Sequence, residues 1–134
     1  MATKEVGWAP ANPWFAPGFT KKEKIFLDDI PIFILPLEYF LATKFTAYKD
    51  RGGKEPRTSP DFEDIMYLLN YSSRIKQQIF STEKHVQQYL KTAFLEILNN
   101  DLMQEAIIGN LYYENQMARF NKIMNELNEI TNRI

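Results

Sequence analysis

Residues 36–53 read PLEYFLATKFTAYKDRGG, and the chain after them keeps the same helical period. A proline stands at the start of this stretch, where a helix tolerates one, and two glycines stand at its end, where helices commonly stop. We therefore predict a helix that opens at Pro36 and ends at Gly52-Gly53. Its apolar stripe, read at helical spacing, comprises Leu37, Phe40, Leu41, Phe45 and Tyr48.

Two further helical segments are predicted directly downstream. Ser59 is a suitable N-cap and Pro60 a suitable first residue for a second helix. A shorter segment is predicted over residues 74–80. The positions expected to face the core from the second helix are Phe62, Ile65, Met66 and Leu69.

The C-terminal third predicts three more helices. The first is capped by Ser81 or Thr82 and ends at Asn99-Asn100, with one apolar face formed by Val86, Tyr89, Leu90, Ala93, Phe94, Ile97 and Leu98. The second starts with a capping box of Asp101 and Gln104 and runs toward Tyr113. The third covers residues 116–134, and its apolar face is read as Met117, Phe120, Met124, Leu127 and Thr131.

Residues 1–35 have a different character. Four of the seven prolines lie here, among the aromatic residues Trp8, Trp14, Phe15 and Phe19, so we predict an irregular segment. These aromatic side chains would form an apolar patch if exposed, so we expect another part of the protein or a partner to cover them. The runs at 24–27 and 30–35 flank Asp28-Asp29 and predict a β-hairpin, which is expected to pack on helices or on another sheet. The predicted fold is mainly α: residues 1–35 as this segment and hairpin, and residues 36–134 as one helical, bundle-like domain.

Composition excludes several kinds of function. The chain has 134 residues, no cysteine and a single histidine, which removes disulfides, thiolate metal sites and cysteine nucleophiles and leaves little for Ser-His catalysis. The net charge of −1 gives no overall attraction to nucleic acid or to anionic lipid. Because no signal peptide and no apolar run long enough to span a bilayer is evident, we expect a cytoplasmic protein without a membrane partner.

Lys44 is the anomaly of the first helix. It follows Leu37 by seven residues and so falls inside the apolar stripe. A lysine there either extends its ammonium to the edge or pairs with a carboxylate. Asp61 and Asp64 are three residues apart on the next helix and can lie opposite it. A register-fixing ion pair and a functional site are equally compatible with this spacing.

The segment between these residues is basic. Residues 44–57 hold five basic and two acidic side chains, a local charge of +3, around Gly52-Gly53. Such a loop is suited to phosphate, although it lacks the spacing of a P-loop, and a solvated loop is the simpler interpretation. No metal-ligating set is predicted.

Residues 36–53 followed by Ser59-Pro60-Asp61-Phe62-Glu63-Asp64-Ile65 resemble a signature of bacterial nucleotidyltransferase-fold proteins in the abortive-infection toxin group, the AbiEii/AbiGii-like family. The shared features are an Ala-Thr-Lys helix, an Arg-Gly loop and an Asp-x-x-Asp helix in that order. The resemblance extends upstream over residues 7–14 and downstream into the helical tail, so it covers nearly the whole chain.

The resemblance implies transfer of a nucleotide from a nucleoside triphosphate, with Mg²⁺, to an RNA end or a protein hydroxyl. Residue by residue, it implies catalytic roles for Lys44, Asp61 and Asp64 and phosphate-binding roles for Lys44 and Arg51. The family's Ser-His before the first aspartate is Ser59-Pro60 in this chain.

The chain also departs from the family, because it contains no Gly-Ser…Asp-x-Asp motif. We therefore expect it to correspond to the C-terminal helical part of an α+β nucleotidyltransferase-like protein, inactive by itself and without a cofactor of its own. A missing catalytic half or a protein partner would cover Trp8, Trp14, Phe15 and the hairpin. The alternative is a non-catalytic helical interaction module, a partner subunit or an antitoxin-like protein, which buries its apolar surface against a partner or in a homo-oligomer.

Overall fold

A computed structural model describes residues 12–134, and within them the chain is mainly helical with one β-hairpin, as predicted. The helices are α1 (Phe15–Thr20), α2 (Leu37–Asp50), α3 (Pro60–Tyr71), α4 (Ile75–Ser81), α5 (Lys84–Leu98), α6 (Asp101–Gly109) and α7 (Gln116–Arg133), and the strands are β1 (Glu23–Leu27) and β2 (Ile30–Ile34). Single 3₁₀ turns cover Pro56–Thr58 and Tyr113–Asn115.

One apolar core holds the helices together. Helix α2 packs on α3 and α5, and α7 closes the other side of α5. Phe45 of α2 meets Phe94 of α5 edge-on, with ring centroids 5.8 Å apart, and both side chains are buried. Each large apolar side chain buried in this way contributes about 1.5–3 kcal/mol, so the central helices are fixed by packing.

The start of α3 and the end of α2 form as the sequence predicted. The Ser59 hydroxyl oxygen accepts a hydrogen bond from the backbone N–H of Phe62 at 3.1 Å, and Pro60 is the first helical residue. Gly52 and Gly53 have φ values of +110° and +60°, which stop α2 and turn the chain toward α3. Helix α2 itself starts at Leu37, because Pro36 lies outside it in an extended conformation.

The N-terminal segment was predicted as irregular, and this is wrong for Phe15–Thr20, which forms α1. Pro17 does not prevent the helix, because it lies in the first turn, where backbone N–H groups have no partner within the helix. Trp8 lies outside the described residues.

The predicted caps of α5 and α6 are also wrong. The Ser81 hydroxyl donates back to the carbonyl of Gln77, so α4 includes Ser81, and Glu83 occupies the N-cap position of α5 without a side-chain cap bond. Asn100 caps α6, since its Oδ1 accepts from the Met103 N–H at 2.9 Å. The capping-box residue Gln104 instead donates to the last carbonyls of α5. Helix α6 ends at Gly109 and does not reach Tyr113.

The apolar face predicted for α7 is only partly the buried one. Leu127 and Thr131 are buried as predicted, but Ile123 and Ile130 complete the buried face and Met117 is half exposed. The predicted and the observed buried faces both have helical spacing, so spacing alone does not distinguish them. The contacts of α7 with α4, α5 and α6 determine which face is buried.

The hairpin has the predicted strands and turn. Leu27 pairs with Ile30 next to the turn, and Asp28 and Asp29 both adopt positive φ, as a tight two-residue turn requires. The expected packing of the hairpin on helices is not seen among residues 12–134: most of its apolar side chains are exposed.

Candidate functional site

Lys44 reaches the edge of the α2–α3 pair. Its neighbours along the stripe, Leu41, Phe45 and Tyr48, are buried, so its stem starts in the core. Its ammonium lies 2.7 Å from Oδ2 of Asp64 and 3.8 Å from Oδ1 of Asp61. The structure therefore brings together the three residues that the spacing predicted to face each other.

Asp61 is the buried member of the group. Only 6% of its side chain is exposed, against 50% for Asp64. Its Oδ2 accepts a hydrogen bond from Nη1 of Arg51 at 2.8 Å, while its Oδ1 faces Lys44. A carboxylate withdrawn from water requires such partners, because uncompensated burial of a charge is costly. Asp61 therefore holds two cations in place from the first turn of α3.

Arg51 comes from the end of α2. Its backbone N–H donates to the carbonyl of Ala47, which closes the helix, and the two glycines follow directly. Its guanidinium is mostly exposed apart from the contact with Asp61. The end of α2 and the start of α3 thus place Arg51, Asp61, Lys44 and Asp64 in one row of alternating charge.

The loop beside this row forms a cavity of about 330 Å³. Its wall comprises Tyr48, Arg51, Gly52, Gly53, Lys54, Glu55, Thr58, Ser59 and Pro60. Arg57 does not join it, because its guanidinium makes two hydrogen bonds to the carboxylate of Glu55, at 2.8 and 3.1 Å. These bonds lower the pKa of Glu55. Of the loop cations, Arg51 and Lys54 therefore border the cavity.

The residues do not fit a divalent cation. The two carboxylates of the row are each paired with a lysine or an arginine, and no group of three or more acidic, histidine or cysteine side chains is close enough to hold a metal within residues 12–134. Mg²⁺ prefers several oxygen ligands that are not already neutralised. Of the nearby cations, Arg51 is mostly exposed despite its contact with Asp61, and it lines the cavity together with the exposed Lys54, so an anion in the cavity could contact these two.

A second polar cluster was missed by sequence reasoning. The Tyr39 hydroxyl donates to the Glu83 carboxylate at 2.8 Å, and burial together with this bond raises the pKa of Tyr39 to about 12. The same bond and Lys21 lower the pKa of Glu83. The residues are 44 positions apart, so no local pattern could have paired them.

Trp14 was predicted to need an external cover, and this chain supplies one. Its ring lies 4.9 Å from that of Tyr89 and stacks on His85 at 5.7 Å. Phe15, in contrast, is exposed. A partner is therefore not needed for Trp14.

An apolar groove of about 510 Å³ separates the hairpin from the helices. It is lined by Glu23, Ile34, Leu35, Leu37, Phe40, Ser72, Arg74 and Gln78. The lining of this groove shares no residue with that of the loop cavity.

Comparisons with known protein families, with curated proteins and with solved structures found no match. Within the described residues, no helix has the length and apolar character needed to cross a membrane.

Proposed function

We propose that this chain is the helical part of a nucleotidyltransferase-like protein and that the row around Lys44 binds the phosphates of a nucleoside triphosphate. The observation that carries the proposal is the position of Asp61, buried between Lys44 and Arg51. The resemblance of residues 36–65 supports it, since the Lys, Arg and Asp-x-x-Asp of that signature are the four residues in the row.

The two carboxylates have different roles in this proposal. Asp61 is a positioning residue, because it is buried, accepts a hydrogen bond from Arg51 and forms an ion pair with Lys44. Asp64 is half exposed, so a phosphate oxygen can take its place on the Lys44 ammonium. Lys44 then acts as a point charge and Arg51 as a fork-shaped donor at the rim of the cavity.

Transfer itself needs groups that these 134 residues do not supply. A Gly-Ser…Asp-x-Asp motif is absent from the sequence, and the row does not fit Mg²⁺. We therefore assign to this chain the binding of the triphosphate and derive no chemical step. The acceptor implied by the resemblance is an RNA end or a protein hydroxyl.

Calorimetric titration of the chain with each of the four ribonucleoside triphosphates, without metal, tests the proposal. Arg51→Ala is expected to weaken binding by about 1.5–3 kcal/mol, or roughly ten- to 150-fold, since it removes a charged phosphate donor. Lys76→Ala is the control, because Lys76 is a partly exposed lysine on α4 that pairs with Glu129 and not with a residue of the row. Failure of the unmodified chain to bind any triphosphate, or equal losses in the two variants, would contradict the proposal.

A second function is favoured by the apolar groove and the exposed hairpin. In this alternative the chain is a non-catalytic interaction module that buries these surfaces against a protein partner or a second copy. Sedimentation equilibrium distinguishes its self-associating form: a dimer that dissociates on Ile34→Asp, at the groove, supports it, and a monomer at all concentrations counts against it.

A further inference from the structure

The two faces of the hairpin differ chemically. Side chains alternate along each strand, and directly paired residues share a face. The pairing therefore places Lys24, Phe26, Pro31 and Phe33 on one face, here called the aromatic face, and Glu23, Ile25, Leu27, Ile30, Ile32 and Ile34 on the other, the aliphatic face. The aliphatic face continues into the apolar groove through Glu23 and Ile34.

Two lysines lie among the rings of the aromatic face. The Lys24 ammonium is 5.5 Å from the ring centre of Phe26 and 5.9 Å from that of Phe33. The Lys22 ammonium is 4.3 Å from the Phe19 ring and 5.3 Å from the Phe33 ring. Because Lys22 contacts the rings of both Phe19 and Phe33, the Phe19 ring of α1 extends the aromatic face.

The rings are open to solvent. Phe19, Phe26 and Phe33 are each about half exposed or more, and Phe15 stacks on Phe19 with centroids 5.8 Å apart. A surface of several exposed rings on one side of a two-stranded ribbon is larger than the isolated apolar side chains usual on a protein surface. It therefore calls for a ligand with flat apolar groups.

The charge on this face has one sign along the strands. Lys24 is the charged strand residue on the aromatic face, and Lys22 adds a second ammonium there. The acidic residue Glu23 lies on the aliphatic face. Asp28 and Asp29 lie beyond it, at the turn. A ligand that fits combines flat rings with negative charge.

We propose that the aromatic face binds single-stranded nucleic acid. Phe26 and Phe33 stack on bases, and Lys22 and Lys24 neutralise the phosphates between them, as in other single-strand-binding surfaces that combine rings with basic side chains. The proposal does not depend on triphosphate binding by the Lys44 row, because the two sites share no residue.

Two other occupants fit less well. An apolar protein surface that bound the aromatic face would have to desolvate both ammonium groups, which is unfavourable. Such a protein could bind the aliphatic face without desolvating them. An anionic lipid surface would bind two lysines only weakly, since each basic side chain near such a surface contributes about 1 kcal/mol.

Fluorescence anisotropy with labelled single strands of about twelve nucleotides, as RNA and as DNA, tests the proposal. We expect micromolar binding that weakens with salt, with a slope of log K against log[salt] of about −1.4 for two neutralised phosphates, and a slope nearer −0.7 for Lys24→Ala. Phe26→Ala is expected to weaken binding at least about fivefold through lost stacking, and Phe26→Trp to retain it.

The matched control is Leu27→Ala on the aliphatic face. Leu27 is 57% exposed and Phe26 is 62% exposed, so both substitutions remove surface side chains from neighbouring positions of one strand. Equal affinity for RNA and DNA supports recognition through bases and phosphates, and a preference for RNA supports it with an added 2′-hydroxyl contact. Each variant is also titrated with triphosphate, and Phe26→Ala is expected to leave that binding unchanged.

Three results would overturn the inference. One is absence of binding to every strand at low salt. Another is an equal loss of affinity in Leu27→Ala and Phe26→Ala. The third is binding to phosphatidylserine vesicles that depends on Phe26 while the oligonucleotides do not bind.

Discussion

The ammonium of Lys44 lies 2.7 Å from Oδ2 of Asp64, across the boundary between α2 and α3. Lys44 belongs by its spacing to the buried stripe of α2, and this contact shows how the helix accommodates it: the stem follows the core and the charge emerges at the edge. The ion pair therefore links the two helices at the edge of the core, where the Lys44 side chain is partly exposed.

The two carboxylates beside Lys44 are expected to differ in their contribution to stability. Asp61→Asn should lower the free energy of unfolding by about 1–3 kcal/mol, because it weakens the hydrogen bond to Arg51 and removes the ion pair with Lys44 at a buried position. Asp64→Asn should cost less than about 1 kcal/mol, because Asp64 is half exposed. Urea unfolding of both variants checks this, and equal costs would show that the burial of Asp61 is not decisive.

Gly52 is expected to be needed for its backbone conformation alone. Its φ is +110°, and a Cβ built there meets no atom within 4 Å, so Gly52→Ala should cost about 1–2 kcal/mol through strain and not through a clash. Gly109 is the matched control: a Cβ there also meets open space, but the residue lies in α6 without positive φ. Gly109→Ala should be neutral or stabilising by up to about 1 kcal/mol. Thermal unfolding of the two variants compares them.

Stability is expected to fall at alkaline pH through Tyr39. Its pKa is raised from 10 to about 12, so the folded state holds the phenol proton more tightly than the unfolded state. This contribution is fully present below pH 10 and is lost as the pH rises from 10 toward 12. Tyr39→Phe should be less stable at pH 7 by about 1 kcal/mol, from the lost bond to Glu83, and should show a smaller alkaline decline.

Denaturant unfolding between pH 7 and 12 measures this effect. The pKa values of Tyr48 and Tyr89 are also raised, so part of the decline will remain in Tyr39→Phe. Tyr67→Phe, at an exposed position, serves as the control. An alkaline decline of the same size in Tyr39→Phe and in the unmodified chain would refute the assignment to Tyr39.

The helical core is expected to fold without the hairpin. Residues 23–34 are paired with each other and largely exposed, so replacing them with a short Gly-Ser linker should leave the helical circular dichroism and cooperative unfolding in place. Phe94→Ala is the contrasting change, with an expected cost of about 3–5 kcal/mol, since Phe94 is fully buried. Loss of cooperative unfolding in the linker variant would show that the hairpin is part of the core.

The proposed function predicts that Lys44→Ala abolishes nucleotide transfer when this chain is combined with a catalytic half that supplies the Asp-x-Asp carboxylates. The Lys44→Ala variant should remain folded, because the Lys44 ammonium lies at the edge of the core. Incorporation of a labelled nucleotide into an acceptor measures the effect. Unchanged incorporation would contradict the proposed role of Lys44 in holding phosphate.

Several features followed from sequence alone because they depend on neighbours along the chain. The helical period, the Ser59 cap and the glycine stop of α2 are local, and all are found in the structure. The meeting of Lys44 with Asp61 and Asp64 was also predictable, because two consecutive helices that pack on each other bring side chains of their facing sides together.

Other features depended on how distant elements compete for the same contacts. Ser81 fits a cap and also a last helical turn, and only the packed structure shows that α4 retains it. The buried face of α7 was set by the helices it meets, and Trp14 was covered by Tyr89, far along the chain. Sequence therefore determined the helices after residue 36 and the charged row. Tertiary packing decided which helix faces are buried and left the hairpin exposed, because burial depends on the whole set of neighbours and not on local spacing.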